Sequence, residues 1–310
     1  MSGLNRNSGA DYNLVKTLLN NLKDDTLQQE NIQGKATALD PIVFTQDTAT
    51  NAFVVTSVIA GGGYMNKETD DFAPRKFVTK RAPTAKTTAI AEFNKNMGIA
   101  RTFMQDQQLN AVSKAVRQEV QSWTASRDRN AFAVWSGGFA TTTTIDSAYL
   151  FSNSHTNVNG DTVDNLETGA LANDTLNTTV NSLRQQVNNS GVLVGYEPKF
   201  LLTPSILHQT GTQVCKSVLR AGTGNNDLNY WSEMYPGMKC VYSPFLDAVS
   251  TTAYFVGTSQ HDVMRFEREG FFSDLVDWKT DPNDQFVYKL RAREEVDAIT
   301  YVGVVGNTGA

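Results

Sequence analysis

The amino-acid sequence predicts an α+β chain, and three patterns carry that expectation. One uninterrupted helical period runs from Arg101 to Gly138, a helix-strand-helix order fills the stretch from Asp174 to about Phe266, and an alternating strand lies at Phe286 to Arg293. The long helix organises the rest. Leu109, Val112, Val116, Val120, Trp123 and Phe132 recur at steps of three, four or close multiples, which sets them on one stripe. Asp106 stands where a cap is needed and Gly137 and Gly138 end the pattern, so the helix is expected over about residues 105–136. Roughly thirty residues at about 1.5 Å rise make a rod of about 45 Å, longer than one compact core requires. Such a rod reads as a spine; an ordinary core helix in a large domain is the other reading.

Taken in order, residues 1–50 are polar and weakly patterned, with one short helix expected at Asp11 to Lys23, where Leu14, Leu18, Leu19 and Leu22 share a side. This segment reads as an arm that lies on something else, or else as a partly disordered tail. Phe53 to Ala60 is a strand broken by Gly61, Gly62 and Gly63, and Lys86 to Ile90 is a second strand leading to Phe93. Together they predict a long β-hairpin with too few apolar residues to stand alone. After the spine helix a polar linker precedes Leu150 to Asp161, whose Ser, Asn and Gly content reads as an exposed loop. Asp174 is expected to cap a helix carrying Leu176, Val180, Leu183 and Val187 and ended by Gly191. Phe200 to Leu202 is an apolar strand, and Thr203 with Pro204 should open a third helix that turns Ile206, Leu207, Val214 and Val218 inward. Short strands follow at Met238 to Tyr242, Ala253 to Gly257 and Val263 to Phe266, completing an α/β lobe. Near the C-terminus Phe286, Tyr288, Leu290 and Ala292 alternate with charges, and Ile299 to Val305 is a second apolar strand. Both are expected to return beneath the long helix as a second, discontinuous lobe.

With 310 residues, 40% of them apolar, the chain can build a real core as one large domain or two ordinary ones. A net charge of -5 advertises no broad phosphate-binding face. The distribution of charge is more informative. Between Tyr64 and Ile90 six bases (Lys67, Arg75, Lys76, Lys80, Arg81, Lys86) outnumber three acids, a net +3; between His261 and Asp284 seven acids, among them Glu267, Glu269, Asp274 and Asp277, outnumber three bases, a net -4. A basic arm and an acidic strip can attract across a subunit boundary, or both can be solvated faces.

Chemistry is sparse. Met1 to Gly9 has no signal-peptide pattern, and the longest apolar run, Ala52 to Ala60, is too short to span a bilayer, so a soluble chain made in a reducing compartment is expected. Cys215 and Cys240, 25 positions apart, form no CxxC pair and read as free thiols. His155, His208 and His261 do not lie at ligand spacing from one another or from a cysteine, so no metal and no cofactor are expected. Ser154 beside His155 lacks a GxSxG elbow, and neither Gly61 to Gly63 nor Gly222 to Asp227 has phosphate-loop order, so no enzyme is expected.

Five segments, however, occur in a familiar order. The run LFSNSHTNVNG resembles the LFS-x-SH segment of tailed-phage major capsid proteins, especially the group related to the Mu-like head subunit, with Thr156 where relatives often have proline. AEFNKNMGIARTFMQDQQLNAVSKAVRQEV upstream, and PKFLLTPSIL, GTGNNDLN and VYKLRAREEVDAITYVGVVG downstream, resemble that family's strand and spine helix and its later landmarks. The resemblance covers about residues 90–305.

It implies the Hong Kong 97-type fold, with an N-terminal arm (1–50), an E-loop hairpin (51–92), a P-domain (93–140 and 270–310) and an A-domain (141–269). It also implies a virion protein, made in the host cytoplasm, that assembles as hexamers and pentamers of an icosahedral head. Portal, scaffold or decoration proteins and non-specifically contacted DNA would be its partners. An encapsulin-type compartment is the alternative within the fold, and a small-molecule hydrolase using Ser154 or His155 is the alternative from another class.

Overall fold

The structure, a computed structural model, describes residues 9–32, 40–58, 85–100, 109–219, 227–277 and 285–310. It begins with helix α1 (Gly9–Ile32), a short α2 (Asp40–Val43), strand β1 (Thr45–Thr48) and a two-stranded hairpin of β2 (Phe53–Ser57) and β3 (Ala85–Ala89). Strand β4 (Ala91–Ala100) leads to the spine helix α3 (Leu109–Ser136), which ends in a 3-10 turn over Gly137–Phe139. Small strands β5 (His155–Thr156), β6 (Thr162–Val163) and β7 (Leu166–Glu167) follow, then helix α4 (Asn173–Gln185) and strand β8 (Phe200–Pro204). Helices α5 (His208–Lys216) and α6 (Tyr230–Met234) precede β9 (Lys239–Ser243), β10 (Tyr254–Gly257), β11 (Val263–Val276), β12 (Gln285–Ala298) and β13 (Val304–Asn307).

Two sheets share the spine helix. The first, in the order β1-β11-β12-β4, is built on long antiparallel ladders between β11 and β12 and between β12 and β4. The predicted alternation holds along β12, where Phe286, Tyr288, Leu290 and Ala292 are all buried. Val112, Val116 and Val120 on the first turns of α3 pack on this sheet, against Ile99, Leu275 and Tyr288. The second sheet, in the order β7-β13-β10-β8-β9, carries α4 through Leu176, Val180 and Leu183, all fully buried. The last turns of α3 reach the junction of the two sheets, where Phe132 and Trp135 pack with Leu150, Phe151, Phe200 and Phe255. At about 1.5 Å per residue the 28-residue helix spans about 42 Å. That length is what lets one stripe serve two cores.

Several expectations are corrected. Helix α1 runs through Ile32, well past Lys23, and Val15, Leu19 and Leu22 turn onto α3 and the first sheet while Leu18 is 42% exposed; the spine supplies the apolar partner that the arm lacks alone. Thr203 and Pro204 are buried members of β8, not a helix start, because the parallel pairing with β9 continues through Pro204↔Ser243; Ile206 and Val218 are exposed. The N-terminus of α4 is closed by Thr175, whose hydroxyl accepts the Ala172 N–H at 2.9 Å, with Asp174 in the first turn, and α4 ends at Gln185, before Gly191. Strand β11 starts at Val263 in the first sheet, so a division at 269/270 would cut through it. The final strand does not lie beneath the spine helix. A turn through Gly303 sends β13 into the second sheet, between β10 and β7. The loop from Leu150 to Asp161 is exposed at Asn153, Ser154, Thr156 and Asn159 to Asp161, but Leu150, Phe151, His155 and Asn157 turn into the interior. Asp106, Gly61 to Gly63 and Gly222 to Gly224 lie outside the described residues.

Candidate assembly surface

Lys67, Arg75, Lys76, Lys80 and Arg81 lie outside the described residues. Lys86 sits at the base of the hairpin and is turned inward. Its Nζ is 2.6 Å from Asp297 Oδ1 and donates to the carbonyls of Thr143 (2.6 Å) and Ala298 (2.8 Å). Thr88 Oγ1 donates to the second oxygen of the same carboxylate at 2.6 Å. A small core of Ala49, Ile90, Phe266 and Ile299, with Val54 and Val58 against it, supports this anchor.

The acidic strip maps to β11, at and beyond the irregularities that shift its register between Glu267 and Phe272. Asp274 pairs with Lys16 of α1 at 2.9 Å, and this hydrogen bond holds its carboxyl below the usual carboxylate range. Glu269 pairs with Arg291 at 3.0 Å. Glu267 is exposed, and its backbone carbonyl accepts the Ala49 N–H at 2.8 Å. Asp277 lies just past the end of β11, partly exposed. The structure thus sets Glu267, Glu269 and Asp274 on one strand and Asp277 just past its end, with Asp274 and Glu269 engaged by cations of the same chain.

Beside them runs a groove between the spine helix and the first sheet. Trp123 forms its floor, stacked on Phe271 with ring centroids 5.1 Å apart and met edge-on by Phe93 at 5.4 Å. Lys95 and Glu119 close one side at 2.6 Å, and Glu92 lies within 3.7 Å of Arg291 on the other.

Apolar side chains are left uncovered in two places. Phe53 and Val55 on the hairpin are each 56% exposed. Around the rim of the second sheet Ile206, Val218, Leu228, Met234 and Val249 are each more than half exposed. Exposed apolar side chains of this size are available for another molecule to cover.

The LFS-x-SH segment does not form a nucleophile-base pair. His155 is fully buried, stacked on Tyr301 at 4.2 Å, with Nδ1 2.8 Å from Asp146 Oδ2 and Nε2 3.2 Å from the Leu150 carbonyl. Ser154 Oγ contacts Ser152 Oγ at 3.1 Å instead. Burial raises the Asp146 carboxyl, but hydrogen bonds from His155, Thr144 and the Thr156 N–H outweigh it and bring the group down to about 2. Asn165 completes the knot by donating to the Leu150 carbonyl at 2.8 Å and accepting the Ser152 N–H at 2.9 Å. Sequence reasoning missed Asp146, Asn165 and Asp297. The nine positions between Asp146 and His155, and the 211 between Lys86 and Asp297, fit no periodic element, so spacing carried no signal for them.

A profile of the phage capsid protein family matches residues 83–307. The chain belongs to the phage capsid protein family. Solved capsids place this capsid protein in the Hong Kong 97-type fold. The procapsid of bacteriophage JBD30 is 13% identical with a TM-score of 0.53, covering 98% of this chain and 77% of that one. The capsid of Myoviridae phage XM1 is 13% identical with a TM-score of 0.51, covering 89% and 92%. The SrpI encapsulin of Synechococcus elongatus PCC 7942 is 10% identical with a TM-score of 0.52, covering 86% and 85%. Comparison with curated protein sequences finds no match. As a capsid subunit the chain is a structural protein that assembles with copies of itself, and its place is the virion.

Proposed function

We propose that this capsid protein is the major head subunit, assembling as hexamers and pentamers of an icosahedral shell that encloses double-stranded phage DNA. The observation that carries the proposal is the family match over most of the chain. The uncovered hairpin and rim side chains agree with it, because a closed shell repeats one interface many times and each copy must leave part of its apolar surface for its neighbours. In this reading residues 1–50 are the N-terminal arm and 51–92 the E-loop. The first sheet with α3 is the P-domain, and the second sheet with α4 to α6 and β13 is the A-domain, whose apolar rim would face the capsomer axis. The E-loop bases Lys67, Arg75, Lys76, Lys80 and Arg81 would meet Glu267, Glu269, Asp274 and Asp277 of a neighbouring copy, with Lys86 holding the loop at its root. Portal and scaffold or decoration proteins are the expected further partners, packaged DNA would be contacted without sequence preference, and synthesis would be in the host cytoplasm.

The encapsulin likeness keeps a second reading in view, a compartment that holds protein cargo. Purified particles imaged by negative stain and then assayed for nucleic acid and for cargo protein separate the two. Closed shells that package DNA during infection support the head reading, and shells holding a co-purified enzyme support the compartment. A chain that stays monomeric under every assembly condition refutes both.

A further inference from the structure

The two cysteines, unrelated by spacing, meet where α5 packs on the second sheet. Gly211 lies one helical turn before Cys215, and a Cβ built on it would fall 3.0 Å from the Cys240 sulfur. The missing side chain therefore lets the Cys240 side chain on β9 reach the body of the helix. Thr212 Oγ1 is 3.9 Å from that sulfur, and Cys215, on the next turn, belongs to the buried cluster against which Cys240 packs. Cys215 is 2% exposed and Cys240 is partly exposed. We infer that Cys215 and Cys240 are a built oxidation site, closing to a disulfide that ties α5 to β9 when the protein meets a peroxide.

The contact also sorts the thiols into roles. The interaction with Cys215, aided by Thr212 and the nearby Lys216, holds Cys240 below the ordinary thiol range, and the same interaction together with burial pushes Cys215 up. Cys240, the more exposed and more acidic thiol, reacts first. Its thiolate attacks one peroxide oxygen, the O–O bond breaks, and the departing hydroxide takes up a proton as water, leaving a sulfenic acid. The Cys215 sulfur then attacks the sulfenic sulfur. An S–S bond forms, the S–O bond breaks, and the hydroxyl leaves with the Cys215 proton as a second water. Two thiols lose two electrons in total, and the peroxide gains them.

The bond would close the 24 residues from 216 to 239, which carry α6 and the exposed Leu228, Tyr230 and Met234. A loop of that size corresponds to a rise in Tm of roughly 5 °C for a chain this long.

The test treats the full native protein with hydrogen peroxide, counts free thiols, maps peptides without reduction and repeats the count after dithiothreitol. Expected are paired loss of both thiols, a Cys215–Cys240 linked peptide pair and full recovery on reduction. Cys215→Ser, treated alike, should stop at a Cys240 sulfenic acid that a dimedone probe traps. Two thiols that survive, a Cys240 oxidised to the sulfinic acid beside a free Cys215, or links only between different chains would each overturn the inference. Because the wild-type protein supplies these outcomes, a Cys215→Ser chain that fails to fold leaves the test intact.

Discussion

Lys86 is the base whose removal should damage the subunit itself, and Lys86→Met measures by how much. Methionine keeps most of the unbranched stem and removes the ammonium. Side-chain exposures of 17% for Lys86 and 18% for Asp297 place the pair well below the surface. The change strips Asp297 Oδ1 of its 2.6 Å partner and leaves the carbonyls of Thr143 and Ala298 without their donor, while Thr88 and the Ala298 N–H still hold the carboxylate. Hydrogen bonds to charged groups are each worth about 1.5–3 kcal/mol, and a half-buried charge left uncompensated adds to the loss, so a total of about 3 kcal/mol is expected. Urea unfolding of the unassembled chain, followed by circular dichroism, reads this as a lower midpoint at unchanged slope. Asp297→Asn should recover part of it in the double variant, with a coupling of about 1–3 kcal/mol. A loss under about 0.5 kcal/mol, as for an exposed pair, would show that water replaces the ammonium at no cost and that the hairpin is not anchored here.

Four further outcomes are expected. Reversing Lys76, Lys80 and Arg81 to glutamate should lower the yield of shells in microscopy and leave thermal unfolding near wild type; since exposed pairs are each worth about 0–1 kcal/mol, the effect must come from repetition across many interfaces. Burial pushes His261 down to about 4, against a small opposing contribution from the Ile42 carbonyl. Between about pH 6.5 and 4 the unfolded chain therefore takes up a proton that the native one refuses, costing up to about 3 kcal/mol, and His261→Gln should flatten that limb of the stability profile. Asp146, held down to about 2, works in the next window: its contribution of about 2 kcal/mol is present above about pH 4 and is lost as pH falls towards 2, so Asp146→Asn should remove that slope in acid titrations. Gly306→Ala would place a methyl 2.5 Å from the Phe151 ring and should cost about 1–3 kcal/mol, read as a lower Tm.

The sequence shows what is periodic and hides what is long-range. The spine helix and the alternation of Phe286, Tyr288, Leu290 and Ala292 were legible because each places one face on a core, and burial follows the period. The sheet assignment of the last strand was not legible. An apolar run reads the same beneath a helix or inside a sheet, and only the left-handed turn at Gly303 (φ 79°) directs β13 between β10 and β7. Composition described Leu150 to Asp161 only in part, for a related reason. Asn153, Ser154 and Asn159 are solvated as composition suggests, yet His155 and Asn157 are buried because the nearby carboxylates of Asp146 and Asp161 satisfy them. Lys86 belonged to a run of bases that looked uniform, and only the fold separates it from the others, since a lysine's role depends on whether a carboxylate waits beneath it.

That separation bears on how a shell of such subunits divides its energetics. Several buried polar groups are matched within the chain: Lys86 with Asp297, His155 with Asp146, and Gln186, which donates to the Tyr301 carbonyl at 3.0 Å and accepts the Gly303 N–H at 2.8 Å. Large apolar side chains are left exposed on the hairpin and around the second sheet. Covering a half-exposed Phe53 or Val55 is worth about 1 kcal/mol each, at least as much as an exposed ion pair and far less sensitive to salt. In the proposed reading, cohesion between copies would rest on apolar contact, while the opposed charges of the arm and the β11 strip would set which copy meets which and in what register. A subunit divided this way can fold before it meets a neighbour, because the ion pairs that anchor its hairpin and its His155 loop lie within one chain.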